Sequence, residues 1–516
     1  MTGSPPDAWG KPSLRLRFAD PGHFTVAVEL VTSRGLITEQ RGQRVLRVAR
    51  ELAPHPRVDA LSITDNPAGN AMLAADTMGT DLISRGQEVI IHLSCKDWNR
   101  NALQSRAWKL SSEGFHNVLA LSGDYPTGGY RGVAAPIFDI DSVGLLRMYS
   151  DMNAGTVPDA PPAARTNFLL GAVVTNHKRH EREVMPQLYK LRKKVENGAA
   201  FIVNQIGYHA RKDDELLKWM QLNGLGHVPV LANVFVLSPT VARVLNSGRV
   251  PGVIVTDELL ELAIRHGRGP DKGRSYFLEL AAQQMVVARG LGFRGAYIGG
   301  HLEAREYMDI FDRADAYGPD DWRGLARELQ FPLPDEFHVF ERDEQTGLSS
   351  TVLAKRSRPR RPPLRYRVSR RVHDAVFDPG GALHEPVRKA LTVVDAAPRR
   401  VGKVAHRVEQ AAKVPMFECR DCGDCSLPDI AYLCPESQCV KNQRNGPCGG
   451  TRDGKCEVGD KDCIWALAYE RLKPYGEETT MLDGPAVIKD NALRGTSAWV
   501  NTFLGRDHHA EGEVGR

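Results

Sequence analysis

Between Phe24 and His301 the chain runs eight times from a short apolar segment into polar or charged residues, usually with a helix-period stretch following. The segments are FTVAVELV, DALSITD, EVIIHLSC, HNVLALSGD, NFLLGAVV, AAFIVNQI, PVLANVFVL and GAYIGGH. Short β-branched runs bounded by turn signals read as buried parallel strands, and their alternation with amphipathic stretches reads as βα units. Eight such units in about 280 residues predict an α/β fold, a (β/α)8 TIM barrel, whose active site lies at the C-terminal strand ends. The polar residues that close the eight runs are therefore the first candidates for chemistry.

The helices between the runs support this. After the fifth run, REVMPQLYKLRKKVENG places Val184, Leu188, Leu191 and Val195 at i, i+4, i+7 and i+11, one apolar face of a helix. Two or three helices are expected between the seventh and eighth strands, a tolerated decoration of the fold.

A chain of 516 residues exceeds one core. We divide it into an N-terminal lead-in (1–22), the barrel (23–334), a basic Pro/Arg-rich linker with short helices (335–416), a cysteine-rich metal-binding module (417–490) and a C-terminal tail with little core potential (491–516). The linker helices are expected at EPVRKALTVVDAA and RRVGKVAHRVEQAAK. Nine Lys or Arg stand between Lys355 and Arg371, interleaved with three prolines. Such a run reads as a solvated linker, with an anionic partner site as the alternative. The net charge of +5 is mild for this length and does not point to nucleic acid. No run approaches the ~20 apolar residues of a membrane span. The opening MTGSPPDAWGKPS lacks the apolar core of a signal peptide, so cytoplasmic residence is expected.

Cysteine use agrees with that compartment. Cys95 stands alone in the barrel, whereas Cys419, Cys422, Cys425, Cys434, Cys439, Cys448, Cys456 and Cys463 crowd one segment. In a reducing compartment such clustering reads as metal ligation before disulfides. The C-x2-C-x2-C start is typical of iron–sulfur ligation and usable by zinc. Eight thiolates suit two four-thiolate sites, zinc or [4Fe–4S], whose pairing spacing does not determine. The module is small for an independent apolar core, so metal is expected to hold it together.

At the strand ends, Glu29 lies between Val28 and Leu30, where a carboxylate is costly to bury unless paired or functional. Partial desolvation would raise its pKa and suit it to general acid work; the alternative is a solvated, outward-facing side chain. The second run ends in Ser62-Ile63-Thr64-Asp65-Asn66. The third offers His92 and Cys95, each of which reads first as a structural residue. The fourth ends Leu121-Ser122-Gly123-Asp124, where glycine admits close approach of a ligand and aspartate adds a carboxylate. The sixth ends Asn204-Gln205, amides able to donate to and accept from a heterocycle. These residues alone describe a barrel enzyme binding a polar heterocycle.

The motifs VAVELV, SITDNP, HLSCKDWNRNALQS, NVLALSGD and LRKKVENGAAFIVNQ, in this order and spacing, resemble methylenetetrahydrofolate reductase over about 300 residues. The resemblance implies a flavin-containing (β/α)8 barrel that interconverts 5,10-methylenetetrahydrofolate and 5-methyltetrahydrofolate by hydride transfer through flavin N5. It implies that Glu29 is the acid that helps open the methylene bridge, that Asp124 lies by flavin and pterin, and that Gln205 reads the pterin edge. It further implies flavin contacts, FAD before FMN, from Thr64, His92, Leu121, Ser122, Gly123, Asp124, Phe138 and Asp139, with Lys194 on a phosphate. NAD(P)H or a redox protein is the implied electron donor, and a homo-oligomer is expected.

Two strand ends depart from the family. Val173-Val174-Thr175-Asn176 stands where an aromatic often covers the flavin, and Ala242 and Asn246 stand where some members use Gln and Phe. The segment CVKNQRNGPCGGTRDGKCEV, with CIWALAYERLK after it, resembles the C-terminal module of some bacterial members of the family, found in others as a separate subunit. The implied role is electron relay through iron–sulfur clusters, with a structural zinc knot as the alternative. Besides reduction, the resemblance leaves open an enzyme run oxidatively on methyltetrahydrofolate and a non-catalytic redox-assembly subunit.

Overall fold

In a computed structural model, residues 11–157 and 164–512 are described. The first ten residues of the lead-in and the last four of the tail lie outside them. Eight parallel strands close into a barrel in sequence order: β1 (Thr25–Leu30), β2 (Ala60–Ile63), β3 (Glu88–Ser94), β4 (Asn117–Leu121), β5 (Leu169–Val174), β6 (Phe201–Asn204), β7 (Val230–Phe235) and β8 (Gly295–Gly299). Each lies within one of the eight apolar runs. β1 pairs with both β2 and β8, which closes the ring. Three helices, Pro239–Asn246, Asp257–His266 and Arg274–Leu291, separate β7 from β8.

Inward-pointing side chains fill the barrel: Ala27, Ala60, Ile90, Leu119, Phe201 and Leu231 share one buried cluster. Gly171 on β5 leaves room for the largest of these, since a Cβ there would lie 2.2 Å from the Phe201 ring. The helix Leu14–Ala19 stands within the stretch read as a lead-in. It plugs the N-terminal end of the barrel, with Leu14 fully buried and the Phe18 ring 5.3 Å from that of Phe201.

Beyond the barrel, a two-stranded antiparallel sheet, β9 (Phe340–Arg342) and β10 (Ser349–Leu353), is followed by the helices Leu364–Val376, His384–Ala396 and Arg399–Phe417. The last two fall on the expected segments. The sheet and the helix Leu364–Val376 are extra structure in the stretch read as linker. The stretch read as a tail carries the helix Ala498–Phe503, whose Ala498 and Val500 are buried.

The cysteine-rich module shares the barrel's core and adds a small cluster of its own, Phe417, Leu427 and Cys434. Trp465 and Tyr469, on the helix Ile464–Leu472, belong to the same buried cluster as Val184 and Leu188 of the helix Glu181–Glu196. Fully burying each such aromatic or aliphatic side chain contributes about 1.5–3 kcal/mol. The junction is therefore a folded interface. Among the described residues no helix is long and apolar enough to cross a membrane.

Candidate active site

The C-terminal strand ends surround a cavity of about 280 Å³. Its wall brings together Glu29, Thr64, His92, Leu121, Ser122, Gly123, Asp124, Lys194 and Gln205. Phe138 and Asp139 are not among the lining residues. Phe138 is buried with Lys441 of the module 5.9 Å from its ring centre, and Asp139 is held by Arg100 at 2.9 Å and Asn491 at 3.0 Å. Here the two residues are engaged by Lys441 and by Arg100 and Asn491 respectively.

Glu29 anchors a network on the cavity floor. The hydroxyl of Tyr297, on β8, donates to Glu29 Oε2 at 3.0 Å and lies 3.1 Å from Ser62 Oγ. His92 Nε2 lies 2.9 Å from both that hydroxyl and Ser62 Oγ. Burial raises the Glu29 pKa, and the Tyr297 hydrogen bond opposes it in part. Burial also lowers His92 to about 4, leaving a neutral imidazole. A carboxyl whose pKa burial raises, set beside hydroxyl groups and a neutral imidazole, has the character of a general acid. The sequence reading named Ser62 at its strand end without a role and missed Tyr297. Their only signal is a hydroxyl set inside an otherwise apolar strand.

The remaining groups are positioned by turns. Gly123, at φ 88°, turns the chain after β4, and Asp124 Oδ2 accepts from the Ala68 N–H at 2.8 Å. Asp65 accepts from both the N–H and the hydroxyl of Ser94 at 3.1 Å, while burial raises its pKa. Gln205 Oε1 accepts from the Ile206 N–H at 2.8 Å, leaving its NH2 for a ligand. Lys194 donates to the Val173 carbonyl, and burial, helped by nearby Lys190, lowers it to about 7. Val173 and Thr175 line the cavity, whereas Asn246 is spent on Val255 O and Asp257, and buried Ala242 lies off the wall.

The outer wall comes from the module: Lys441, Cys448, Gly449, Gly450 and Glu457. Lys441 donates to Gly123 O at 2.8 Å and pairs with Glu457. Ser122 donates to Gln443 Oε1 at 3.0 Å, and Lys190 reaches the same oxygen at 3.1 Å. Lys178, fully buried, donates to the carbonyls of Gly449 and Thr451. Asn445 is clamped through its N–H to Asp141 at 2.9 Å.

These contacts bear on the flavin that the resemblance implies. The residues assigned to its ring line the cavity. Yet the volume is below the roughly 300–1,000 Å³ of ordinary ligand pockets, and holds one heterocycle rather than flavin and folate stacked. The module segment 441–451 spends Ser122 and the Gly123 carbonyl on itself. While seated, this segment takes up polar groups that a flavin nucleotide would use.

The cysteines separate into two quartets. Cys419, Cys422, Cys425 and Cys434 line one small cavity, and Cys439, Cys448, Cys456 and Cys463 line another. All are free thiols. Each cavity leaves about 20 Å³, more than one water-sized body requires. Among the described residues no three cysteine sulfurs lie within 4.8 Å of one another. Four cysteines around each hollow are a donor set usable by zinc or by an iron–sulfur cluster. Lys413 Nζ stands 3.3 Å from Cys425 Sγ, a cation that favours thiolate. Cys448, Lys441 and Glu457 line both the second quartet's cavity and the barrel cavity, so the two share a wall.

The arrangement is a closed parallel barrel with an acid at its C-terminal mouth, capped by a cysteine-rich module. Residues 17–277 match the family model described as methylenetetrahydrofolate reductase, and residues 399–491 match that described as methylene-tetrahydrofolate reductase C terminal. The chain belongs to the methylenetetrahydrofolate reductase family, a family of folate-related oxidoreductases. The second match takes in the helix Arg399–Phe417, so the module begins within the stretch read as linker.

Comparison with curated proteins gave no match. Among solved structures, the chain is similar to an uncharacterized protein from Clostridium thermocellum that binds two copies of 5-methyl-5,6,7,8-tetrahydrofolic acid (12% identity, TM-score 0.43, covering 59% of this chain and 98% of that one). It is also similar to 2,3-dimethylmalate lyase, a PEP mutase/isocitrate lyase superfamily member (16% identity, TM-score 0.32, covering 60% and 86%). Likenesses this distant do not bear on function.

Proposed function

We propose that the barrel interconverts 5,10-methylenetetrahydrofolate and 5-methyltetrahydrofolate, with Glu29 as proton donor, and that the two cysteine quartets hold iron–sulfur clusters serving the barrel mouth. The observation that carries this reading is the shared wall. A cavity sized for one heterocycle has on its floor a carboxyl whose pKa burial raises, and a cysteine quartet behind its outer side.

In the reductive direction Glu29 gives its proton to the folate amine as the methylene bridge opens, and the methylene carbon gains the equivalent of a hydride. The hydroxyls of Tyr297 and Ser62 hold the carboxyl in place. Asp124 and Gln205 read the polar edge of the pterin. The electrons derive from NAD(P)H or a redox protein. The flavin dependence implied by the family requires segment 441–451 to lift, and no step of this sequence depends on it. Residence in the cytoplasm is consistent with this chemistry.

A second reading is favoured by the same segment. With the mouth covered by its own module, the chain would serve as a redox-assembly subunit that passes electrons to a separate flavin-bearing partner. Anaerobically purified full-length protein distinguishes the two when assayed for methyltetrahydrofolate turnover with an artificial acceptor, with and without added FAD or FMN. Under the first reading the wild type turns over, and Glu29→Gln loses about 100-fold or more while still binding folate. A protein with dithionite-bleachable clusters and no turnover under any of these conditions overturns the first reading in favour of the second. Colourless protein whose only metal is zinc overturns the relay.

A further inference from the structure

His209, Glu336 and His338 meet outside the barrel cavity, on the flank of β6. His209 is the residue before the helix Ala210–Leu222, and the other two lie in the segment leading into β9. Their candidate ligand atoms all lie within 4.8 Å of one another. The site is dry: the side chains of His209, Glu336 and His338 are 6%, 5% and 12% exposed. Neither ring nitrogen of His209 has a hydrogen-bond partner, nor does Glu336 Oε2. Buried polar atoms left unpaired cost about 1–3 kcal/mol each, and His209 Nε2 and Glu336 Oε2, which stand 3.5 Å apart, call for a missing partner between them.

The spacing names that partner. His209 Nε2 lies 3.5 Å and His338 Nε2 3.8 Å from Glu336 Oε2, too long for good hydrogen bonds. Ligands about 2.0–2.2 Å from a tetrahedral zinc ion stand roughly 3.3–3.6 Å apart, close to what is seen. A carboxylate also stands behind one ligand, since Glu215 Oε2 is 3.6 Å from His338 Nδ1, on the side away from the shared point. Such an outer carboxylate orients a metal-bound imidazole. The cations that face the cluster are Lys212 and Arg211. Lys212 is engaged by Glu215 at 2.9 Å and by the Phe337 carbonyl, and Arg211 donates to Phe340 O at 2.9 Å. By contrast, in the group formed by Asp429, His508 and His509, both rings spend Nε2 on Asp429, at 2.9 and 3.1 Å.

We propose that His209, Glu336 and His338 bind a divalent transition metal of the zinc type, with water completing the shell, as a site separate from the cysteine quartets. The metal ties the loop 205–209, which carries Gln205 into the barrel cavity, to the segment 330–340. Backbone bonds from Ala210 N to Leu329 O and from Phe331 N to Tyr208 O already bring these two stretches together.

The test compares full-length wild type with Glu336→Gln and His338→Ala after treatment with a chelator and re-addition of zinc. The wild type is expected to rebind one zinc ion per chain in a site whose X-ray absorption fine structure shows nitrogen and oxygen neighbours and no sulfur, and to gain melting temperature on rebinding. Both variants are expected to lose that equivalent and that gain while keeping the metal content of the cysteine module. Glu336→Gln keeps the side-chain volume, so it reports binding even if His338→Ala folds poorly. Equal zinc rebinding in wild type and Glu336→Gln, or a sulfur-only zinc environment, would overturn the proposal.

Discussion

Tyr297 on β8 donates its hydroxyl proton to Oε2 of Glu29 on the neighbouring strand β1, 3.0 Å away, at the floor of the barrel cavity. Burial raises the pKa of the carboxyl and holds the phenol well above its ordinary value. Both shifts favour the protonated forms, which suits the carboxyl to acid work.

Tyr297→Phe removes a hydrogen bond that stabilises the Glu29 carboxylate. Such a bond to a charged group contributes about 1.5–3 kcal/mol, or roughly one to two pKa units. The alkaline limb of folate turnover is expected to move to higher pH in this variant. A pH–rate profile that does not move would show that another group titrates.

Glu29 also links stability to pH. Its folded pKa is raised from 4.5, so above that value the folded state holds a proton that the unfolded state releases. Its contribution is full below the unfolded pKa and is lost as pH rises through the folded pKa. Glu29→Gln abolishes the dependence. Relative to wild type, its melting temperature is expected to be higher at pH 8 than the offset measured at pH 4.

Gly171→Ala places a methyl 2.2 Å from the Phe201 ring inside the barrel, where backbone surrounds both. Overpacking of this kind costs about 1–3 kcal/mol. Chemical denaturation should show a lowered midpoint with an unchanged slope.

The quartets are independent in their ligands, so Cys422→Ser and Cys448→Ser should each remove the metal of one site and leave the other. Cys448 alone also lines the barrel cavity. Folate binding is therefore expected to weaken in Cys448→Ser and to hold in Cys422→Ser. Metal and sulfide analysis together with a folate titration checks both halves.

The barrel was legible because its signals are local. Each strand is a run of four to seven residues whose pattern is visible without knowing its neighbours. The polar strand ends follow from the same pattern, and Glu29, Thr64, His92, Asp124 and Gln205 all reach one cavity. Tyr297 was hidden, and Ser62 carried no role, because a hydroxyl inside an apolar run looks like ordinary strand composition. The surroundings of Phe138 and Asp139 were not legible, because they depend on residues more than 300 positions away, Lys441 and Asn491.

The helix Glu181–Glu196 marks the boundary between the two kinds of information. Its apolar stripe, through Val184, Leu188 and Leu191, follows from periodicity alone. Its polar face looks solvated in sequence, yet Glu181, Gln187, Lys190 and Lys194 are buried. Lys190 reaches Gln443 and Gly446, and Glu181 accepts from Tyr469 and Lys473. By itself, then, the amino-acid sequence determined an eight-stranded barrel with an acid-bearing rim and a module of eight thiolates. Only the tertiary structure decided that the thiolates divide into two quartets and that one of them backs onto the barrel mouth. The physical reason is that periodicity records which face of an element is apolar, whereas the partner that satisfies a buried charge is set by residues far away in the chain.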